Sequence, residues 1–380
     1  MNKKILITGG AGFIGSNLCL KLLERGYRVS VLDNLSEQIH GKDPENTSPL
    51  YRSIKEKVNF VQGTVTNRAV MEEVLKGQEI IVHLAAVTGT GQSMYEIERY
   101  SRVNIGGTAL LMDILANKSH KVKKIIVASS RAIYGEGKYR CKELGIVYPG
   151  HRSSREMVKG NFEVQYPGCS APLELLPTDE DSKIHPSSVY GISKQVQEQL
   201  VMTVTKSIGI TGVAFRYQNV YGPGQSLSNP YTGILSIFSN RIMNGSSINI
   251  FEDGRESRDF VYIDDVVNAT ILGIEQEKAN GNVFNVGTGI ATTVLEVVEL
   301  LIKYFGKKVP VEISGNFRIG DIRHNFADVT KIRERLGFET KINFEKGIKL
   351  FNAWVKKQPV HGDIKFDLSL DELKKKGLFK

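Results

Sequence analysis

The chain opens on a short apolar run, Ile5 to Ile7, that stops at glycines and is followed by a stretch whose apolar positions recur every three or four residues. "KKILITGGAGFIGSNLCLKLLERGYRVSVLDN" therefore reads as strand, glycine turn, amphipathic helix and second strand, the order of a βαβ unit. Further apolar runs follow in "VNFVQGTVTN", "EIIVHLAAVTGTGQS" and "KKIIVASS", each ending in small or polar residues. The pattern predicts an α/β protein with a doubly wound parallel sheet, whose ligands gather at the carboxyl ends of the strands.

The turn after the first strand satisfies G-x-G-x-x-G through Gly10, Gly12 and Gly15, and a wider spacing through Gly9, Gly12 and Gly15. A tight turn, backbone N–H groups close to a pyrophosphate and a helix packed near the strand all exclude side chains there. The second strand ends at Asp33, where an acid accepts hydrogen bonds from both ribose hydroxyls of NAD and repels a 2′-phosphate. The plainer reading of Asp33 is a cap on the next turn. Strand, glycines, helix and acid in this order predict a Rossmann-type unit holding NAD.

Composition narrows the setting. With 380 residues and 41% hydrophobic content the chain can bury a large core. Its start lacks the apolar core of a signal peptide, and no apolar run reaches the ~18 residues of a membrane span, so no membrane partner is expected. The formal charge of +9 suits a phosphorylated small molecule. The lysines are dispersed and no aromatic-basic motif accompanies them, so nucleic acid is not the expected partner. Cys19, Cys141 and Cys169 form an odd, sparse set that argues against a disulfide scaffold and for a cytoplasmic location.

Ser130 stands at a predicted strand end, and "SSVYGISK" places Tyr190 and Lys194 one helical turn apart. A nearby ammonium favours the phenolate of a tyrosine that is otherwise a weak base at neutral pH, and it can also hold a ribose. A serine hydroxyl beside the phenol passes the proton and fixes the substrate oxygen.

Together these features resemble the extended short-chain dehydrogenase/reductase family, in particular its nucleotide-sugar epimerases and dehydratases. "TGGAGFIG", "HLAA", "VNIGGT", "SSRAIYG", "YGISK", "FRYQNVYGPGQ", "FEDGRESRDFVYIDDVV", "FNVGTG" and "RIGDIRHNFAD" occur in that family's order over nearly the whole chain. The resemblance implies a smaller C-terminal α/β domain for a nucleotide sugar, tightly held NAD and a homodimer. It carries catalysis to Ser130, Tyr190 and Lys194. It carries cofactor contacts to Gly9, Gly12, Phe13, Ile14 and Gly15, to Asp33 and Asn34, to Leu84, Ala85 and Ala86, to Asn104, and to Tyr190 and Lys194 themselves. Asn219 would meet the sugar diphosphate and Arg258 and Arg323 its phosphates, a role that suits guanidinium forks. Thr64 departs from the family, which usually has an adenine-contacting Asp there.

The residues after Ser130 separate reactions. The family's 4,6-dehydratases place carboxylates there, whereas this chain has Arg131 and Ala132, which offer no proton donor for elimination. The expected reaction is C4 epimerisation through transient oxidation, with Arg131 near the substrate. "HLAAVTGTGQSMYE", "SSRAIYGEGKYRC" and the stretch before "LPTDED" resemble a subgroup of dTDP-L-rhamnose 4-epimerases. Alternatives are a UDP-hexose or UDP-hexuronate 4-epimerase, a nucleotide-sugar 4-ketoreductase, against which Asp33 speaks, and a cofactor-holding regulatory protein without turnover.

The expected domains are 1–222 for NAD, with 259–289 returning to it, and 223–258 with 290–380 for the nucleotide sugar. Tyr134 and Tyr190 lie ~56 residues apart, roughly thirty more than a short strand-to-helix connection needs, which predicts an ordered insertion at 136–178. The insertion is expected to border the sugar pocket, offering Arg140 or Arg152, or to build a subunit interface. Cys141, His151 and Cys169 lack the paired spacing of a zinc site, so no metal is expected. His83 reads as a buried strand residue, and the tail after Pro359 as a solvated end that includes a helical "SLDELKKKG".

Overall fold

The computed structural model describes residues 3–231, 233–359, 362 and 364–380. Strand β1 (Lys4–Thr8), helix α1 (Phe13–Glu24) and strand β2 (Arg28–Asp33) form the first βαβ unit. Strand β3 (Asn59–Gln62), helix α2 (Arg68–Leu75), strand β4 (Ile80–His83), helix α3 (Gly107–Asn117) and strand β5 (Lys124–Ser130) continue the alternation. After a long excursion come helix α4 (Val189–Ser207) and strand β6 (Thr211–Tyr217). The chain then leaves for helix α5 (Ile234–Asn244) and returns with helix α6 (Ile263–Glu275) and strand β7 (Val283–Val286). Helices α7 (Val294–Phe305), α8 (Phe344–Val355) and α9 (Ile364–Lys375) complete it.

The seven strands form one parallel sheet in the order β7-β6-β5-β4-β1-β2-β3. Alternate side chains feed two cores, as both faces of a covered parallel sheet require. Ile5, Ile7, Val29 and Val31 join Phe215, Phe284 and Ile271 on one side. Leu6, Leu32, Ile81 and Ile125 join Leu111 and Val201 on the other. Strand order reverses between β1 and β4, and β5, which ends at Ser130, and α4, which begins beside Tyr190, lie just beyond that point.

Residues 136–178 carry a three-stranded sheet, Tyr139–Cys141 between Gly145–Val147 and Glu174–Leu175, over a small core of Tyr139, Cys141, Val147 and Val164. Cys141 and Cys169 are joined by a disulfide, which corrects the expectation of unpaired cysteines. Of the three cysteines only Cys19 is a free thiol, and it is buried. Among the described residues no helix is long and apolar enough to cross a membrane.

Ions clamp the insertion to the C-terminal lobe. Buried Arg152 donates to Glu136 at 3.2 Å and, through two nitrogens at 2.8 Å, to Glu252. None of residues 136–178 lies on the wall of the large cavity described below. The expected substrate contacts of this segment are therefore not made: Arg152 is inside the clamp, and exposed Arg140 pairs with Glu174. The tail also differs from expectation. Leu373 and Phe379 are buried, and the backbones of Phe317 and Lys380 exchange two hydrogen bonds.

Candidate active site

A cavity of about 1560 Å³ runs along the carboxyl ends of the strands, between the sheet and the C-terminal lobe. Sites for one small ligand usually measure roughly 300–1000 Å³, so this space suits a dinucleotide together with a second ligand. At the cofactor end the glycine turn is shaped by contact. Gly9 has φ +72°, and a Cβ there would lie 2.8 Å from the Ala85 nitrogen. A Cβ at Gly15 would come within 2.4 Å of the Gly9 oxygen, so α1 packs on the turn only without one. The first N–H groups of α1, at Phe13, Ile14 and Gly15, lack intrahelical acceptors and line the cavity, an arrangement suited to a pyrophosphate.

Asp33 lies on the same wall, its Oδ2 accepting from Ala11 N–H at 3.0 Å and its Oδ1 from Leu35 N–H at 2.9 Å. Each carboxylate oxygen can accept a second hydrogen bond, so both the capping and the ribose-binding readings are compatible with this geometry. His40 Nε2 is 3.8 Å from the acid, and burial holds its pKa below the ordinary value. Asn34, Leu84, Ala85 and Ala86 line the cavity, as does Thr64, whose hydroxyl contacts Thr66. Asn104 does not. Its buried amide binds both backbone groups of Val87 and the Ser193 hydroxyl, tying the exit of β4 to α4, and so corrects the direct cofactor contact expected of it.

Ser130, Tyr190 and Lys194, the residues expected to be catalytic, lie where β5 ends and α4 begins. Ser188 caps α4 by accepting from Gly191 N–H, and a Cβ at Gly191 would lie 2.6 Å from the Ala132 oxygen. This close approach sets Tyr190 beside Ser130, while Ser93 accepts from Tyr190 N–H at 3.0 Å. Burial raises the Tyr190 phenol above its ordinary pKa; hydrogen bonding with Ser130 and the charge of Arg131 oppose that rise. Lys194 is buried and donates to Gln197 at 2.8 Å, and burial brings it down to about 7. Burial and the neighbouring Arg258 bring Arg131 to about 9, still charged at neutral pH. His83 bridges Thr8 and Thr108 at 2.8 and 2.9 Å, and burial holds it neutral at about 3.

On the other side of Tyr190, Arg131, Asn219 and Arg258 line the cavity. Arg131 Nε donates to the Asn219 oxygen at 2.5 Å, and Arg258 is anchored by the backbone oxygens of Ser257, Ile322 and Arg323. Arg323 itself is fully buried away from the cavity, donating to Glu163, Glu252 and Asp253. Its expected phosphate contact is corrected on that ground, since the guanidinium is saturated by carboxylates. The arginine of the same stretch that does line the wall is Arg318, held by Asp321 at 2.8 Å and lying over Phe251.

Sequence reasoning also missed several polar wall residues. Ser129 Oγ, both amide atoms of Gln218 and Asn249 Oδ1 are buried on the cavity wall without a hydrogen-bond partner, and Glu256 Oε2 on the same wall lies 3.7 Å from Arg323 Nη1. Such atoms are costly unless a ligand or water completes them. With the glycine cradle and the open helix start, they fit a bound dinucleotide and a polar second ligand. Gln218 was within view, directly before Asn219; nothing local marked Asn249 or Glu256.

The fold and this constellation define a Rossmann-type site with Tyr190 beside Ser130 on the cofactor cavity. Residues 5–150 and 164–287 match the NAD dependent epimerase/dehydratase family, and the chain belongs to that family, with NAD as its cofactor. The unmatched stretch between the two blocks falls inside the insertion. Over 93% of this chain and 95% of the other, it is 37% identical to the dTDP-L-rhamnose 4-epimerase of Burkholderia thailandensis. It superposes with TM-score 0.74 and 32% identity on UDP-glucose 4-epimerase of Thermotoga maritima solved with UDP-glucose, covering 93% of this chain and 99% of that one. For UDP-glucuronic acid 4-epimerase of Bacillus cereus, solved with UDP-glucuronic acid and NAD, the TM-score is 0.75 at 25% identity, with the same two coverages.

Proposed function

We propose that this protein is an NAD-dependent nucleotide-sugar 4-epimerase acting on dTDP-L-rhamnose to give dTDP-6-deoxy-L-talose. The observation that carries the reading is the Ser130–Tyr190 pair flanked by Arg131 and Ala132, in one cavity with the Arg131–Asn219 contact. The chemistry that NAD supplies when bound is reversible hydride acceptance at C4. Tyr190 takes the proton of the C4 hydroxyl, and Ser130 holds the oxygen as it becomes a ketone. Tyr190 returns the proton once the sugar has presented its other face. No carboxylate follows Ser130, so no group stands ready to expel a neighbouring hydroxyl. Asn219, Arg258 and Arg318 hold the diphosphate while the sugar turns. Glycines 9, 12 and 15, Asp33 and Lys194 hold the cofactor.

The similarity to the Burkholderia protein, over almost the whole of both chains, supports the dTDP-sugar substrate. The UDP-sugar 4-epimerases among the structural neighbours support the same reaction on another sugar. A homodimer fits the exposed Ile97 and Ile192, 54% and 47% accessible on neighbouring helices. The test is purified protein, without added reductant, and a panel of dTDP-, UDP- and GDP-sugars followed by NMR. The expected result is C4 inversion, fastest with dTDP-L-rhamnose. Inversion confined to UDP-hexoses would move the reading to that substrate, and inversion of none would remove it.

A further inference from the structure

Helix α9 lies on the cavity as part of its wall, through Phe366, Ser369, Leu370 and Leu373. It meets the catalytic side. A Cβ added at Gly91 would lie 3.8 Å from Leu373, and the same short helix, Thr90–Ser93, supplies the Ser93 hydroxyl that receives Tyr190 N–H. Glu372 is bound by the hydroxyls of Tyr95 and Tyr231 at 3.1 and 3.3 Å, which fixes the rotation of α9, with Leu370 and Leu373 on the cavity side and Leu368 outward. Beyond α9 the chain is stitched by backbone hydrogen bonds to Phe317 and Ile319, on either side of cavity-lining Arg318, and Phe379 packs on Phe251 at 5.0 Å. The tail is thus an ordered wall beside the segment that holds Tyr190 N–H, largely apolar through Phe366, Leu370 and Leu373, with the Ser369 hydroxyl already donated to Phe366 O and Glu372 already satisfied.

We propose that Leu370 and Leu373 are specificity-determining residues that receive the C6 substituent of the sugar and select a methyl group, that of a 6-deoxy sugar, over a hydroxymethyl or carboxylate. The proposal rests on the 4-epimerase reading above. A C6 hydroxyl against two leucines loses its water partners and gains none, and a carboxylate loses more. An apolar pocket rejects an added hydroxyl by a limited factor, about 10²-fold at most.

The test compares kcat/KM for a dTDP-6-deoxyhexose and for the matching dTDP-hexose, in the parent, Leu373→Asn and Leu370→Asn. Binding of each sugar is followed separately by the fluorescence of Trp354, the sole tryptophan, which lies on the cavity wall. Leu368→Asn, on the solvent-exposed side of the same helix, controls for helix disruption. The parent is expected to favour the 6-deoxy sugar by about 10- to 100-fold. Leu373→Asn should lower that ratio about tenfold, mainly through KM and fluorescence-measured affinity, while Leu368→Asn keeps the parent's ratio. A parent that inverts both sugars equally, or a folded Leu373→Asn with the parent's ratio, overturns the leucine wall and leaves the 4-epimerase reading standing. A parent that binds sugars with the expected preference but inverts none overturns that reading and leaves the wall.

Discussion

Arg131 donates to the side-chain oxygen of Asn219 across 2.5 Å, joining the ends of the neighbouring strands β5 and β6 beside Tyr190. The same guanidinium lowers the pKa of the Tyr190 phenol against the rise imposed by burial. Arg131→Ala should therefore act twice. It frees Asn219, raising KM about tenfold, the scale of a hydrogen bond to a charged group. It also moves the rising limb of the pH–kcat/KM profile to higher pH, because a phenol deprived of a nearby positive charge ionises later. Arg131→Lys should restore part of the limb without restoring KM, since an ammonium carries the charge but not the planar fork. An unshifted limb in Arg131→Ala would show that the charge does not reach Tyr190.

Tyr190→Phe should remove turnover, and Ser130→Ala should reduce kcat by about 10²-fold or more, the scale of a positioned proton-transfer group. Both variants should still fold and bind NAD, because the capping bond of Ser188 and the packing of Gly191 that fix the start of α4 are untouched; Ser130→Ala also loses the bond from Ala132 N–H and should lower Tm slightly. Steady-state kinetics with calorimetry check this.

The first βαβ unit, the glycine turn and the pairing of Ser130 with Tyr190 were legible in the sequence because local periodicity and fixed spacing determine them. The destinations of Arg318 and Arg323 were not. Both occupy the same stretch, and which of them faces the cavity is decided by Glu163, Glu252 and Asp253, acids brought in from distant segments. The pairing of Cys141 with Cys169 likewise depends on the small sheet that folds the insertion back on itself. "SLDELKKKG" was readable as a helix, but its leucines acquire a meaning only from Gly91 and Tyr231, far away in the chain.

Glu136 and Glu256, in the ion cluster between insertion and lobe, are raised by burial from 4.5 to about 7. A carboxyl that holds its proton more tightly folded than unfolded makes stability fall as pH rises between those two values, by up to about 3 kcal/mol for a fully buried group. Glu136→Gln keeps the acceptor for the Arg323 N–H and removes the titration, so Tm should fall less between pH 5 and pH 7.5 than in the parent. Arg152→Met removes the cation between Glu136 and Glu252 and should cost about 3–5 kcal/mol. Thermal unfolding across that pH range separates the two effects.

Asp33→Ala should weaken NAD binding and relax the rejection of NADP, and it should also lower Tm, because the carboxylate holds Ala11 N–H and Leu35 N–H. Dissociation constants for both dinucleotides, measured on cofactor-free protein, decide the point. A lower Tm with an unchanged NAD to NADP ratio would leave Asp33 as a cap alone.

In the proposed cycle the C4 hydrogen leaves the sugar and comes back without exchanging with water, while Tyr190 handles only the hydroxyl proton. The most direct measurement is turnover of dTDP-L-rhamnose in deuterated water, without added reductant, with the product ring examined by NMR. Inverted C4 carrying no solvent deuterium is the predicted result; deuterium at C3, C4 or C5 would contradict it.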